Sequence, residues 1–167
     1  MSRPALLFAL GIMLIGAGCA TTRSEAPVAL LVEVLSPPTP DPLHEDDINR
    51  FMVDSVRSTF RERGFQGRIE ERFRSDAAPS EVPLLTIRLT QWRRTPTGGV
   101  DCTFAASIRT AHGVEQPLGQ FTATELATTI TNRWTLAEAF RDTAERAAED
   151  LWKRLSELQV LPGVPAR

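Results

Sequence analysis

Apolar and polar residues alternate strictly in the middle of the chain, a pattern that indicates β-strands with one buried face. The residues of 100–109 show the alternation most clearly, and those of 85–90 repeat it. The turn-forming sequence of 96–99 separates these two segments. A third strand is predicted over 118–125, so the three strands form an antiparallel meander.

Two other segments repeat apolar residues every three or four positions, as amphipathic helices do. The first helix is predicted to begin at a cap on Asp46 or Asp47 and to end at Gly64. The second is predicted to begin with a capping box formed by Thr135 and Glu138. The apolar stripes comprise Ile48, Phe51, Met52, Val56 and Phe60 in the first helix, and Leu136, Phe140, Ala144, Ala148, Leu151, Leu155 and Leu158 in the second.

An uninterrupted apolar run predicts a buried strand over 28–35, and a weaker pattern predicts another over 67–73. The proline-rich segment 36–42 is predicted to be a stiff, extended connection. The element order is therefore strand, helix, strand, three-strand meander and helix. We predict an α+β fold with a single antiparallel or mixed sheet of four to five strands and two amphipathic helices packed on one face.

The chain begins with the arrangement of an export signal. Arg3 precedes the uncharged apolar run 5–15, and the small residues 16–18 lead to Cys19. This arrangement resembles the lipobox of bacterial lipoproteins, although Gly16 stands where that family usually has leucine. The resemblance implies that the cysteine is lipidated and becomes the N-terminus once the signal is removed.

The lipobox resemblance divides the chain into four parts. Residues 1–18 are the predicted signal peptide, 19–27 the lipidated N-terminus and tether, 28–161 a single α/β domain, and 162–167 a C-terminal tail. More than one acyl chain, such as palmitate, makes membrane attachment effectively permanent. Ala20 follows the cysteine where aspartate would imply retention, so the resemblance implies the outer membrane, facing the periplasm. An ordinary cleaved signal and an uncleaved membrane anchor are the alternatives.

Composition limits the kinds of partner and the means of stabilisation. Removing the 18 residues of the signal leaves 149 of the 167 residues, the size of one domain. Loss of Arg3 moves the formal net charge from −2 to −3, a near-neutral balance that gives no reason to expect a nucleic-acid partner. Cys102 is the only cysteine besides Cys19, so no intrachain disulfide forms once Cys19 carries lipid.

Candidate catalytic and metal-binding residues have structural explanations. Cys102 lies on the apolar face of a predicted strand, which indicates a buried thiol with little thiolate character. His44 and His112 lack the ligand spacings of a zinc site. The acidic residues within 41–47 suit a helix N-terminus and lack the central glycine of a calcium loop. No nucleophile elbow, P-loop or dinucleotide motif occurs, so we expect a non-enzymatic protein without cofactor or metal.

Trp92, Arg93 and Arg94 form the segment with the composition of a recognition site. An aromatic ring beside two guanidinium groups can hold an anionic headgroup or the carboxylates of a partner. Further arginines that could extend this segment into a basic area are Arg57, Arg61, Arg63, Arg68, Arg72 and Arg74. Glutamates are interspersed among them, which favours a solvated surface of mixed charge.

The element order behind a lipobox is similar to that of small periplasmic lipoproteins that serve lipopolysaccharide assembly or act as auxiliary subunits of lipid-transport ABC systems. The resemblance implies a membrane-tethered interaction or assembly module whose partner is another envelope protein. The alternative is a lipid or glycolipid binding or transport accessory protein, which requires an apolar pocket between sheet and helices, rimmed by arginine. A hydrolase would need a clustered nucleophile and base, which the sequence does not provide.

Overall fold

The strands and helices follow the periodic patterns of the sequence closely. The computed structural model describes residues 28–36, 42–73, 76, 81–125 and 133–161. The elements are β1 (Val28–Leu35), α1 (Pro42–Glu62), β2 (Arg68–Glu71), β3 (Leu84–Arg94), β4 (Val100–Arg109), β5 (Glu115–Glu125) and α2 (Arg133–Leu158). The expectations for the signal peptide 1–18, the tether 19–27 with Cys19, and the tail 162–167 lie outside the described residues.

The five strands form one mixed sheet in the order β2-β1-β3-β4-β5. Strand β1 pairs in parallel with both β2 and β3, so these three strands point the same way. Strands β3, β4 and β5 pair antiparallel and form the predicted meander. The α+β prediction of a single sheet with two helices is confirmed. The sheet is mixed because α1 connects β1 to its parallel neighbour β2, while β3, β4 and β5 pair antiparallel.

Both helices pack on the same face of the sheet. The side chains of this interface are almost entirely removed from water, and they form one continuous core. Its largest fully buried members are Leu30, Val32, Met52, Val53, Val56, Phe60, Leu85, Ile87, Phe104, Ile108, Leu151 and Leu155. Helix α2 presents Ala144, Ala147 and Ala148 to the core, and these short side chains let its backbone approach the sheet and α1 closely.

The end of α1 is fixed by its backbone and by aromatic packing. Gly64 has a φ of +95°, and its amide donates to the Arg61 carbonyl at 3.0 Å. The Phe65 amide donates to the Phe60 carbonyl at 2.9 Å, which completes a Schellman motif. The rings of Phe60 and Phe65 pack edge to face at 6.4 Å, and both contact Trp152 of α2. The predicted end of this helix at Gly64 is therefore confirmed.

The predicted helix starts are wrong by a few residues. Helix α1 begins at Pro42 rather than at Asp46 or Asp47, because proline has the backbone angle of a first helical residue and needs no amide there. Helix α2 begins at Arg133, which places Thr135 and Glu138 inside the helix rather than at its cap. The capping-box spacing recurs inside helices, so by itself it does not locate a terminus.

Two strands extend beyond their predicted limits because irregularities interrupt their alternation. The register of β3 against β4 shifts between Leu89 and Gln91, and the strand then continues to Arg94. The register of β5 shifts beside Gly119, whose φ is +111°. An extra residue in one strand reverses the faces of the residues beyond it. The alternation of apolar and polar residues is therefore broken at that point, although the strand continues.

We predict that Gln159→Gly stabilises the protein. Gln159 follows the last residue of α2 and has a φ of +51°, the only positive φ of a non-glycine residue in the described part of the chain. Glycine adopts this conformation without the steric cost of a Cβ, so the free energy of unfolding should rise by about 0.5–1 kcal/mol. Urea denaturation followed by circular dichroism measures the change.

The matched substitution Gly64→Ala should lower the free energy of unfolding by about 1 kcal/mol. A Cβ at Gly64 meets no atom within 4 Å, so any cost there comes from the positive φ and not from a clash. Equal stability of Gln159→Gly and the unmodified protein would show that the α2 terminus relaxes out of this conformation.

Candidate functional site

Strand β1 stops before its neighbour β3 does. The last pair between them joins Leu35 to Arg88, and β3 continues to Arg94. The segment Leu89–Arg94, which we call the free β3 segment, pairs with β4 on one side. On its other side no strand of the described ranges pairs with it. The sheet therefore has a notch at the carboxyl end of β1.

A cleft of about 870 Å³ occupies this notch. It is lined by Glu33, Val34, Leu35, Ser36, Asn49, Glu71, Arg72, Phe73, Arg88, Leu89 and Thr90, and we call it the strand-end cleft. These residues come from the carboxyl ends of β1 and β2, from the middle of β3 and from α1. In sheets with parallel strands, ligands bind outside the carboxyl ends of the strands. The strand-end cleft therefore occupies the end of the sheet at which such ligands bind.

A partly buried ion pair forms one wall of the strand-end cleft. Arg72 Nη1 donates to Glu33 Oε1 at 3.2 Å, and the two side chains retain 16% and 12% of their exposure. Arg72 Nη2 donates to the Asp76 carbonyl at 2.7 Å, and the Arg72 amide donates to the Val32 carbonyl at 2.8 Å. A carboxylate so far from water requires a compensating charge, so this pair holds the chain after β2 against β1.

The sequence contains a signal for this ion pair that the periodicity prediction did not use. Glu33 is the one charged residue in the apolar run 28–35. A charge within a buried strand implies an oppositely charged partner. Which arginine supplies that partner depends on the parallel pairing of β1 with β2, and this long-range contact is not visible in local patterns.

The strand-end cleft also has apolar surfaces and unpaired polar atoms. Val34 and Leu89 line it on the helix-covered side of the sheet, and the Phe73 ring at its rim is 61% exposed. Asn49 Oδ1 is buried without a hydrogen-bond partner in the described part of the chain, and so is Arg72 Nε. The cleft therefore combines apolar contact area with polar atoms that a ligand can satisfy.

The predicted recognition residues lie on the free β3 segment, but on different faces of the sheet. Trp92 lies on the helix-covered face, where its ring packs against Phe140 of α2 with centroids 5.6 Å apart. Arg93, the next residue, lies on the opposite face because consecutive strand residues alternate. Arg93 and Arg94 are exposed. The structure thus brings the two arginines to the surface and places the tryptophan in a packing position.

The arginines of β3 differ from most of the others. In the described ranges Arg88, Arg93 and Arg94 have no carboxylate within ion-pairing distance. Ion pairs do join Arg57 to Asp54, Arg63 to Glu149, Arg68 to Glu70 and Arg72 to Glu33. These pairs support the expected mixed-charge surface around α1 and β2. Strand β3 thus carries three arginines without an ion pair in the described ranges, within seven residues of each other.

Hydrogen bonds between side chains of neighbouring strands order the helix-free face of the sheet near Arg93. Asp101 accepts from Gln91 Nε2 at 3.3 Å and from Thr124 Oγ1 at 2.8 Å. The hydroxyls of Thr103 and Thr122 are hydrogen-bonded to each other at 3.2 Å. Asp101 also lies opposite Arg93 in the register of the sheet, but it is engaged by these two neutral donors. The face without helices is therefore an ordered, hydroxyl-rich surface.

The remaining candidate residues occupy positions that fit structural roles. Cys102 is fully buried, and burial raises the pKa of its thiol to about 12, so it stays protonated and the expected core role is supported. His112 is exposed in the turn between β4 and β5, while the side chains of His44 and the neighbouring acidic residues lie outside the described set.

No group of three potential metal ligands occurs among the side chains that the structure describes. No helix in the described ranges has the length and apolarity needed to cross a membrane.

Comparison with known proteins gives likeness of fold alone. No family model matches the chain, and no curated protein matches it. An uncharacterised protein of known crystal structure has a TM-score of 0.54 at 12% identity, covering 78% of this chain and 95% of its own. A Xanthomonas campestris protein of the DUF330 family has a TM-score of 0.49 at 16% identity, with 79% and 86% covered. A minor lipoprotein from Acinetobacter baumannii has a TM-score of 0.36 at 10% identity, with 79% and 95% covered.

We predict that Cys102 is inert in the folded protein. Because the thiol is buried and protonated, a disulfide reagent such as dithionitrobenzoate at pH 8 should modify it only upon unfolding. Release of nitrothiobenzoate, with and without urea, measures the reaction in the Cys19→Ser variant. Modification at the rate of a free thiol without urea would show that β4 opens readily.

We predict that Arg72→Ala lowers the free energy of unfolding by about 2–3 kcal/mol, because it leaves Glu33 without a compensating charge. The control Arg154→Ala removes the exposed ion pair with Glu157 and should cost less than about 0.5 kcal/mol. Replacing both Glu33 and Arg72 with leucine should recover most of the loss. Urea denaturation of the variants measures all three effects, and equal costs for the two alanine variants would contradict the assignment.

Proposed function

We propose that the chain is a non-enzymatic lipoprotein of the bacterial cell envelope, attached through lipid on Cys19, whose domain acts as an interaction or assembly module. The observation that carries this proposal is the notch at the carboxyl end of β1, where the strand-end cleft meets the uncompensated arginines of β3. An open cleft with charge along one side is suited to recognising a partner.

The chemistry of the cleft favours recognition over catalysis. Guanidinium groups keep their proton and their charge, so Arg72 and Arg88 bind anions well and serve poorly as acids or bases. The Glu33 carboxylate is already engaged by Arg72. The lining residues include no histidine or cysteine. An enzyme would need a nucleophile or a proton-transfer group poised in this space.

The tether would keep the cleft available to other envelope proteins. Strand β1 begins at Val28, directly after the nine-residue segment 19–27. Its eight residues span roughly 25 Å, so the strand-end cleft lies at the far end of β1 from the tether. Anchoring raises the local concentration of a binding surface near other membrane-bound proteins without adding any contact.

The second candidate, a lipid or glycolipid accessory protein, finds support only in the strand-end cleft. The interface between sheet and helices, where this function would require an apolar pocket, is filled in the described part of the chain by side chains of the continuous core. The cleft is open and carries both charged and apolar residues. It could accept a headgroup, but it lacks an enclosure for acyl chains.

Attachment is tested by Cys19→Ser in a bacterial host. We expect the unmodified protein to incorporate labelled palmitate and to sediment with membranes, and the Cys19→Ser variant to lose the label and leave the membrane fraction. Cys102→Ala is the matched control, because its buried thiol should have no part in lipidation. A Cys19→Ser variant that remains in the membrane uncleaved would support the membrane-anchor alternative.

Partner binding is tested by photocrosslinking in the same cells. A photoreactive phenylalanine analogue in place of Thr90 lies in the strand-end cleft, and the same analogue in place of Arg61 lies on the exposed side of α1. We expect a protein adduct of defined mass from position 90 and none from position 61. Adducts at both positions, or at neither, would contradict an interaction module that uses this cleft.

A further inference from the structure

The free β3 segment exposes backbone that a strand can pair with. From Leu89 to Arg94 the strand has β4 on one side and, among the described residues, no strand on the other. No strand of the described residues pairs with its outward-pointing amide and carbonyl groups, so a second chain could pair with them, as in partners that bind by adding a strand to a sheet.

The two outer edges of the sheet are less suited to strand addition. Strand β2 at one edge has only four residues. Strand β5 at the other edge contains Pro117, which has no amide hydrogen, and the irregularity beside Gly119. Short strands, prolines and bulges are the usual means of preventing edge pairing. The free β3 segment contains neither proline nor glycine, and its one register shift lies near its start, between Leu89 and Gln91, so Gln91–Arg94 is its regular part.

The strand-end cleft provides space for such a strand. The residues that line the cleft determine what the side chains on each face of the added strand would contact. Val34 and Leu89 line the cleft on the helix-covered side, while Arg88 lies on the other side of the sheet. Arg93 follows on that same side. A strand laid beside β3 would therefore direct alternate side chains toward apolar surface and toward arginine.

From this arrangement we propose that the notch binds an extended, acidic peptide segment of a partner protein, which adds to β3 with acidic and apolar residues in alternation. Backbone hydrogen bonds to the free β3 segment provide affinity. Arg88 and Arg93, which have no ion pair among the described residues, select carboxylates, although Glu71 also lines the cleft and Asp101 lies opposite Arg93. Asn49, a partly exposed lining residue whose amide oxygen has no hydrogen-bond partner among the described residues, accepts a hydrogen bond from the peptide. This inference rests on the proposed interaction function and specifies the chemistry of the partner.

The test uses the mature lipidated protein in a neutral detergent and a fluorescent, end-capped octapeptide of alternating glutamate and valine. We expect saturable binding by fluorescence anisotropy in 150 mM salt, and slowed amide hydrogen exchange at Gln91–Arg94. A peptide with the same charge but proline in place of two central valines should bind at least about tenfold more weakly, because it lacks those backbone donors. An alternating lysine and valine peptide should not bind.

Variants of the protein test the charge requirement. Arg88→Glu with Arg93→Glu should weaken binding at least about tenfold, and the milder Arg88→Gln with Arg93→Gln should act in the same direction. Arg50→Glu with Arg61→Glu is the matched control, since both arginines are exposed on α1 and unpaired within the described ranges, and it should change affinity less than about twofold. Circular dichroism verifies that each variant is folded.

Four results would overturn the inference. Equal binding of the proline-containing peptide would show charge attraction without strand addition. Slowed amide hydrogen exchange in β5, with none in β3, would show that the peptide binds at the outer edge of the sheet formed by β5. Binding of phosphatidylglycerol mixed micelles, with the same arginine dependence but no binding of the peptide, would identify a lipid headgroup as the ligand. A position 90 crosslink without peptide binding would overturn the acidic-strand inference while leaving the proposed interaction module intact.

Discussion

The ion pair between Glu33 and Arg72 is the interaction on which the cleft side of the molecule depends. A carboxylate placed in the middle of a buried strand is unfavourable unless a cation accompanies it, and Arg72 follows directly after β2. The pair therefore holds the short edge strand against β1 and fixes the chain as it leaves the sheet. Its guanidinium also reaches the Asp76 carbonyl, so one side chain organises the wall of the strand-end cleft.

The two faces of the sheet have separate roles. One face carries the continuous core beneath both helices, and the stability of the domain resides there. The other face carries threonine, glutamine and arginine side chains, several of them linked by hydrogen bonds between strands. Because the notch interrupts β1 alone, it opens a path between these two faces without disturbing the core beneath α2. The Glu33–Arg72 pair is the point at which the wall of the strand-end cleft and the stability of the domain depend on the same side chains.

Local sequence patterns predicted the elements well because each amphipathic strand or helix has its own period. They placed β4, the apolar stripes of both helices and the Gly64 terminus correctly, and they identified Cys102 as a core residue. The candidate site was predicted only in part. Arg93 and Arg94 were identified by composition, but the placement of Arg93 on the face opposite Trp92 depends on strand alternation beyond an irregularity. The notch itself arises from the different lengths of two strands that are distant in sequence, and no local pattern contains that comparison.

The early end of β1 has a further consequence. A sheet edge at the outside of a molecule places no limit on how many chains can pair in succession, which is the origin of fibrous assembly. The free β3 segment is instead bounded at one end by Leu35 and along one side by β4. A strand that enters this gap meets a fixed stop after about six residues. In the proposed binding mode, the end of β1 therefore fixes where an added strand begins to pair with β3 and how many residues it pairs.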